Sequence, residues 1–135
     1  MKAIIFHEHG ERDVLRYEDV PIPEPQAGQV RVQVQACALN YLDIFVRRGM
    51  PGLHTELPHI SGGDIAGVVE SLGPDAPAEL LGQRVLINPI IMDANGKFVA
   101  MLGETTTGGL AEYVTVAADN CIPIPDAVSY EQAAA

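Results

Sequence analysis

The sequence predicts a mainly β fold, a partly open β-barrel carrying one or two short helices. Three observations lead there. Thirteen Gly and ten Pro in 135 residues cut the chain into short segments joined by tight turns, which suits strands better than a helical bundle. Val30, Val32, Val34 and Ala36 alternate with Arg31, Gln33 and Gln35, the period-two pattern of a strand with one buried face. Asn95-Gly96 stands between two apolar runs, a strong short-range hairpin signal. With 47% apolar and 19% charged residues, a chain of this length has the makings of one packed domain.

Taken in order, Lys2 to Phe6 reads as a strand and Val14 to Val20 as its partner, with Gly10 in the turn. Pro21, Pro23 and Pro25 make an extended linker that cannot enter the interior of a sheet. The alternating segment Val30 to Ala36 follows. The period then changes: Leu42, Phe45 and Val46 fall three and four apart, Asp43 and Arg47 sit at i and i+4, and Gly49 closes the end. A helix over about Asn40 to Arg48 fits, followed by an open loop from Gly49 to Pro58. Asp64 to Leu72 and Arg84 to Ile87 read as strands, punctuated by Gly73-Pro74 and Gly82. Ile90 to Asp93 and Lys97 to Leu102 form the hairpin arms, and Gly109 to Val116 reads as a last strand. Ser129 and Gln132 then make the pattern of a capping box that opens a helix, with Ala133-Ala134-Ala135 behind it. Residues 1–128 are therefore expected to form one domain, and 129–135 the start of a helix leading into a domain absent from this sequence.

Several function classes are excluded on composition. The net charge is −10 with only eight Lys and Arg, scattered along the chain, which gives no electrostatic footprint for a phosphate backbone; no nucleic-acid partner is expected. Two cysteines, Cys37 and Cys121, do not make a disulfide framework. The opening apolar run stops at His7-Glu8-His9, and none approaches a membrane span, so a cytoplasmic protein without membrane contact is expected. There is no phosphate-binding G-x-x-x-x-G-K-[ST] loop and no G-x-S-x-G elbow. Gly62-Gly63-Asp64-Ile65-Ala66-Gly67 has the look of a dinucleotide loop, but it runs into the strand-like Val68-Val69-Glu70 where a helix is required. These glycines read better as sites of positive φ or close backbone approach.

The segments also carry a resemblance when read in register. Lys2-Ala3-Ile4, Val30 to Ala36, Ala38-Leu39-Asn40-Tyr41-Leu42-Asp43, Gly62 to Val69, Leu81-Gly82-Gln83-Arg84-Val85, Gly108 to Val114 and Ile122-Pro123-Ile124-Pro125 together resemble the medium-chain dehydrogenase/reductase family, over essentially the whole chain. The resemblance implies a GroES-like N-terminal domain whose substrate cleft faces a Rossmann domain holding NAD(P)H, in an enzyme expected to be a homodimer. Where zinc-dependent members place a metal-binding Cys this chain has Asn40, and where they place a His it has Gly63. Asparagine is a poor zinc ligand and glycine offers no side chain. Between Ile87 and Gly103 there is neither Cys nor His, so the hairpin around Asn95-Gly96 is expected where many members carry a structural zinc lobe. The chain is thus similar to the zinc-free, quinone oxidoreductase-like branch, in which NADPH reduces a quinone, enone or related carbonyl compound. The 135 residues alone are expected to be inactive. Two alternatives stand beside this reading: a stand-alone GroES-like binding or assembly module, and a metal-dependent alcohol or carbonyl dehydrogenase.

The candidate catalytic residues are Asn40, Tyr41 and Asp43, with Asn40 and Asp64 in the substrate or cofactor cleft and no metal ligand. Asn40 either bonds a substrate carbonyl or nicotinamide carboxamide or serves as the helix N-cap. Tyr41 either donates to a carbonyl oxygen or is a half-buried core tyrosine. Asp43 either holds Asn40 or a cofactor contact in place or pairs with Arg47 on a solvated helix face. Asp64 is either a cleft residue or a structural hydrogen-bond acceptor. His7, His9, His54 and His59 are expected to be loose surface histidines, and Cys37 an inert buried thiol.

Overall fold

The computed structural model describes residues 1–135. Lys2–Ile5 (β1) and Arg16–Asp19 (β2) pair antiparallel, with Lys2 opposite Asp19 and Ile5 opposite Arg16. The second arm is shorter than the expected Val14 to Val20 because Arg12–Val14 forms a 3-10 turn. There the Val14 N–H donates to the Glu11 carbonyl and the Leu15 N–H to that of Arg12, occupying backbone groups that a ladder would need.

The alternating segment becomes β3 (Gln29–Ala38), with Val30 and Val32 fully buried and Gln33 and Gln35 exposed. It is followed by α1 (Tyr41–Arg48), ended by Gly49 at φ 83°. Asp64–Leu72 (β4) and Arg84–Ile87 (β5) form where expected. Ile90–Met92 (β6) and Phe98–Met101 (β7) make the hairpin. Tyr113–Ala117 (β8), Cys121–Pro123 (β9) and the four-residue α2 (Tyr130–Ala133) complete the chain. Strand β9 is an addition to the expected set. It lies at the edge of the sheet, where Pro123 is tolerated because its missing N–H faces outward.

One antiparallel sheet in the order β8-β3-β4-β5-β9 carries the fold, flanked by the β1-β2 and β6-β7 ribbons. Its buried face assembles Val30, Val32, Ile65, Val69, Val85, Ile87, Val114 and Val116 with Leu102. Burying each such side chain stabilises the fold by roughly 1.5–3 kcal/mol. Single bridges, Ala3 to Ala111 and Phe6 to His59, tie the first ribbon to the rest, which leaves the barrel partly open.

The last long strand begins later than the expected Gly109. Residues 108–110 are drawn instead onto the 60–62 backbone: Gly108 N–H donates to the Ile60 carbonyl, Gly109 to Gly62 and Leu110 to Ser61. That approach is close enough that a Cβ at Gly108 would sit 2.5 Å from the Gly62 carbonyl oxygen.

In the hairpin Ile90 faces Met101 and Ile91 faces Ala100. Asp93 Oδ1 accepts from the N–H groups of Asn95 and Lys97, both at 2.9 Å, and these backbone bonds hold its carboxyl below the usual range. Ile91 packs on the core, whereas Phe98 stays 52% exposed. The Ser129–Gln132 capping box forms as expected. The segment behind it lies against the sheet, with Ala134 packed on Ala66 and Ile124. No helix is long and apolar enough to cross a membrane.

Candidate functional site

The N-terminus of α1 gathers three of the four candidates. Asn40 is extended at φ −115°, ψ 166° and occupies the N-cap position. Its N–H donates to Asp43 Oδ2 at 2.7 Å, the firm half of a capping box. The other oxygen, Asp43 Oδ1, accepts from the buried Gly62 N–H at 2.8 Å. Asp43 is therefore buried, 9% exposed; of the two readings open from the sequence, it holds Asn40 in place, and the Asp43–Arg47 surface pair does not form. Arg47 donates instead to the Gly10 carbonyl at 3.0 Å, with Glu11 as its carboxylate neighbour at 4.0 Å. The spacing allowed the pair, but the Asn40 N–H at the helix start and the buried Gly62 N–H match a carboxylate better than a flexible guanidinium one turn away.

Asp64 opens β4 opposite Ala38 of β3. Its carboxylate accepts a hydrogen bond from Asn40 Nδ2. The Asn40–Asp64 bond lies between two depressions. One, of about 340 Å³, is lined by Asn40, Tyr41 and Asp43 with the apolar Ile4, Leu15, Leu39, Ile44 and Leu110. The other, of about 320 Å³, is bounded by Asp64, Asn88, Pro89 and Ala134. Sequence reasoning missed Ser61 in the first groove. It is 6% exposed and its hydroxyl has no hydrogen-bond partner. The available signal was a lone hydroxyl between Ile60 and the Gly62-Gly63 turn.

Tyr41 is not the half-buried core tyrosine expected; it is 79% exposed, its ring stacked on Phe45 with centroids 6.4 Å apart. The inward side chains of α1 are Asp43 and Val46. At roughly 100° per residue, Tyr41 lies on the opposite side of the helix. Tyr41 nevertheless contributes to the lining of the groove.

The histidines are less loose than expected. His59 is 4% exposed, with Nε2 3.0 Å from the Gly103 carbonyl and its ring tilted against Phe6. Burial lowers its pKa, partly offset by that hydrogen bond. His9 is exposed but places Nδ1 3.1 Å from the Val46 carbonyl, near the end of α1. The Cys37 thiol is pushed up to about 12, by burial first and then by the Asp43 and Asp64 charges, so it is a weak nucleophile and ligand, as expected. No three His, Cys, Asp or Glu side chains come together as a metal-binding group. At Gly63 a Cβ would already meet the Leu102 carbonyl oxygen at 3.0 Å. This donor set does not fit a zinc ion.

The arrangement can hold a small polar group at Asn40 while offering apolar surface beside it. Residues 26–126 match the family described as the alcohol dehydrogenase GroES-like domain. The whole chain is 33% identical to a quinone oxidoreductase of Mus musculus, of which it spans 37% of the length. The fold superposes on a crystal structure of an NAD-dependent alcohol dehydrogenase with a TM-score of 0.91 and 36% identity, covering 99% of this chain and 42% of that one. A cobalt- and zinc-bound thermostable alcohol dehydrogenase of Pyrobaculum aerophilum is 27% identical at a TM-score of 0.87, with 99% of this chain and 44% of that one covered.

Proposed function

The chain belongs to the alcohol dehydrogenase GroES-like domain family, and on that premise we propose that it is the substrate-side domain of a zinc-independent oxidoreductase. The full-length enzyme passes hydride from NADPH to a quinone, enone or related carbonyl compound. A Rossmann domain beyond residue 135 holds the cofactor; the 37% share of the quinone oxidoreductase length leaves room for one. The nicotinamide supplies the hydride when bound, and the residues of this chain orient and polarise.

The observation that carries the reading is the state of Asn40. It stands where zinc-dependent members place a metal-binding Cys, its backbone is held by Asp43 and its amide nitrogen by Asp64. The side-chain oxygen faces the Asp43 N–H in the capping box, and its second lone pair and one amide hydrogen remain for a substrate carbonyl or for the nicotinamide carboxamide. Tyr41, an exposed residue lining the same groove, supplies a hydroxyl that donates a second hydrogen bond to a carbonyl oxygen as charge develops there.

In the full-length enzyme, Asn40→Ala is expected to lower kcat/KM roughly tenfold or more while the fold stays intact. A change confined to about 1 kcal/mol of stability, with unchanged kinetics, would mean that Asn40 only caps the helix. The metal-bound thermostable neighbour favours a second reading, a metal-dependent dehydrogenase. Elemental analysis separates the two. The zinc-independent enzyme holds far less than one zinc per chain and keeps both activity and melting temperature in chelator; stoichiometric metal would establish the other.

A further inference from the structure

We propose that Asp64 is a positioning residue that fixes which end of the Asn40 amide meets the bound molecule. The inference rests on the reading above, in which Asn40 touches a carbonyl or carboxamide. The oxygen and nitrogen of a primary amide are nearly equal in shape but opposite in function, one accepting and the other donating. An exposed asparagine without a directing partner samples both orientations, and only one of them presents the right group.

Asp64 removes that ambiguity because an ionised carboxylate only accepts. The Asn40 end that faces it must be Nδ2, and the bond is charge-assisted. The carboxylate is itself placed by the sheet. Asp64 is paired with Ala38 in the β3-β4 ladder, two residues before Asn40, so its side chain spans only the short gap between the end of one strand and the start of its neighbour. Asp43 complements it from α1 by holding the Asn40 backbone N–H and the Gly62 N–H together. Two carboxylates on different elements thus divide the work, Asp43 setting the position of the residue and Asp64 the direction of its amide. With Oδ1 turned to the Asp43 N–H and Nδ2 to Asp64, the second lone pair of Oδ1 and the second amide hydrogen reach the bound molecule in a constant order.

The test is a double-mutant cycle in the full-length enzyme with Asn40→Ala, Asp64→Asn, Asp64→Ala and the double replacement Asn40→Ala with Asp64→Ala. Kinetics and melting temperature are followed for each. Freeing the amide leaves only part of the population competent, so either Asp64 variant is expected to lose roughly two- to tenfold in kcat/KM. In the Asn40→Ala background, Asp64→Ala should cost nothing further. Losses that multiply, or an Asp64→Asn enzyme with wild-type kinetics, would overturn the proposal. If Asn40→Ala itself leaves the kinetics unchanged, the role given to Asn40 fails, and the positioning role falls with it. A spectroscopic readout is independent of turnover and of any loss of stability. The Asn40 side-chain amide should show one strongly downfield proton that Asp64→Ala abolishes; an unchanged pair of resonances in that variant would refute the bond.

Discussion

Replacing Asp43 by Ala removes a carboxylate that holds two backbone donors from different parts of the chain, the N–H groups of Asn40 and Gly62. The Gly62 N–H is buried, so its loss leaves an unsatisfied donor, and a hydrogen bond to a charged group contributes about 1.5–3 kcal/mol. The Asn40 bond belongs to a helix start open to water and adds about 1 kcal/mol. Asp43→Ala should therefore lower the unfolding free energy by roughly 3 kcal/mol, a drop in melting temperature of the order of 10 °C for a domain of this size. Asp43→Asn keeps one accepting oxygen but turns an NH₂ group toward the other donor, and should fall between Ala and wild type. Urea unfolding at equilibrium measures this, with the m-value checked for constancy. The competing picture, a solvated Asp43–Arg47 pair, is worth about 0.3–0.5 kcal/mol. A measured loss below about 1 kcal/mol for Asp43→Ala would refute the clamp and restore that pair.

Two further outcomes follow from the same region. Gly62 has φ 97°, and a Cβ there would lie 2.6 Å from Cys37 Sγ. Gly62→Ala should then cost roughly 2–4 kcal/mol in strain and overpacking, while Gly52→Ala, at φ 85° with open space around it, should cost about 1 kcal/mol; equal urea midpoints for the two variants would contradict the packing. His59 titrates below its ordinary value because burial disfavours the imidazolium. The unfolded chain therefore binds the proton more readily, the stability contributed by neutral His59 is present above pH about 6.5, and it is lost as pH falls below that value. His59→Gln, which can still donate to the Gly103 carbonyl, should flatten the stability curve between about pH 7 and 5; an unchanged slope would locate the acid sensitivity elsewhere.

Much of the architecture was legible in the sequence because local signals and tertiary need agreed. The alternation through Val30 to Ala36 gave one face to the core, the Asn95-Gly96 turn closed its hairpin, and the Ser129 and Gln132 side chains met at a helix start. Each of these depends on residues within a few positions of one another, so spacing alone carries the information. Asn40 as the first residue before α1 was readable on the same terms. The sequence could not say which way Asp43 faces, since the i+4 spacing to Arg47 was equally good chemistry until Gly62, nineteen residues away, arrived with an unpaired N–H. The same holds for Gly109 and Leu110, whose place in the expected strand yielded to backbone bonds with residues 61 and 62. It holds too for His59 and Ser61, polar residues in a loop-like stretch that the closing barrel buried. In all of these the deciding partner is remote in sequence, and a buried donor or acceptor takes whichever partner the fold brings within reach. The junction of Asn40, Asp43, Asp64 and Gly62 is therefore a product of tertiary structure, assembled where one helix start, one strand start and one glycine turn converge.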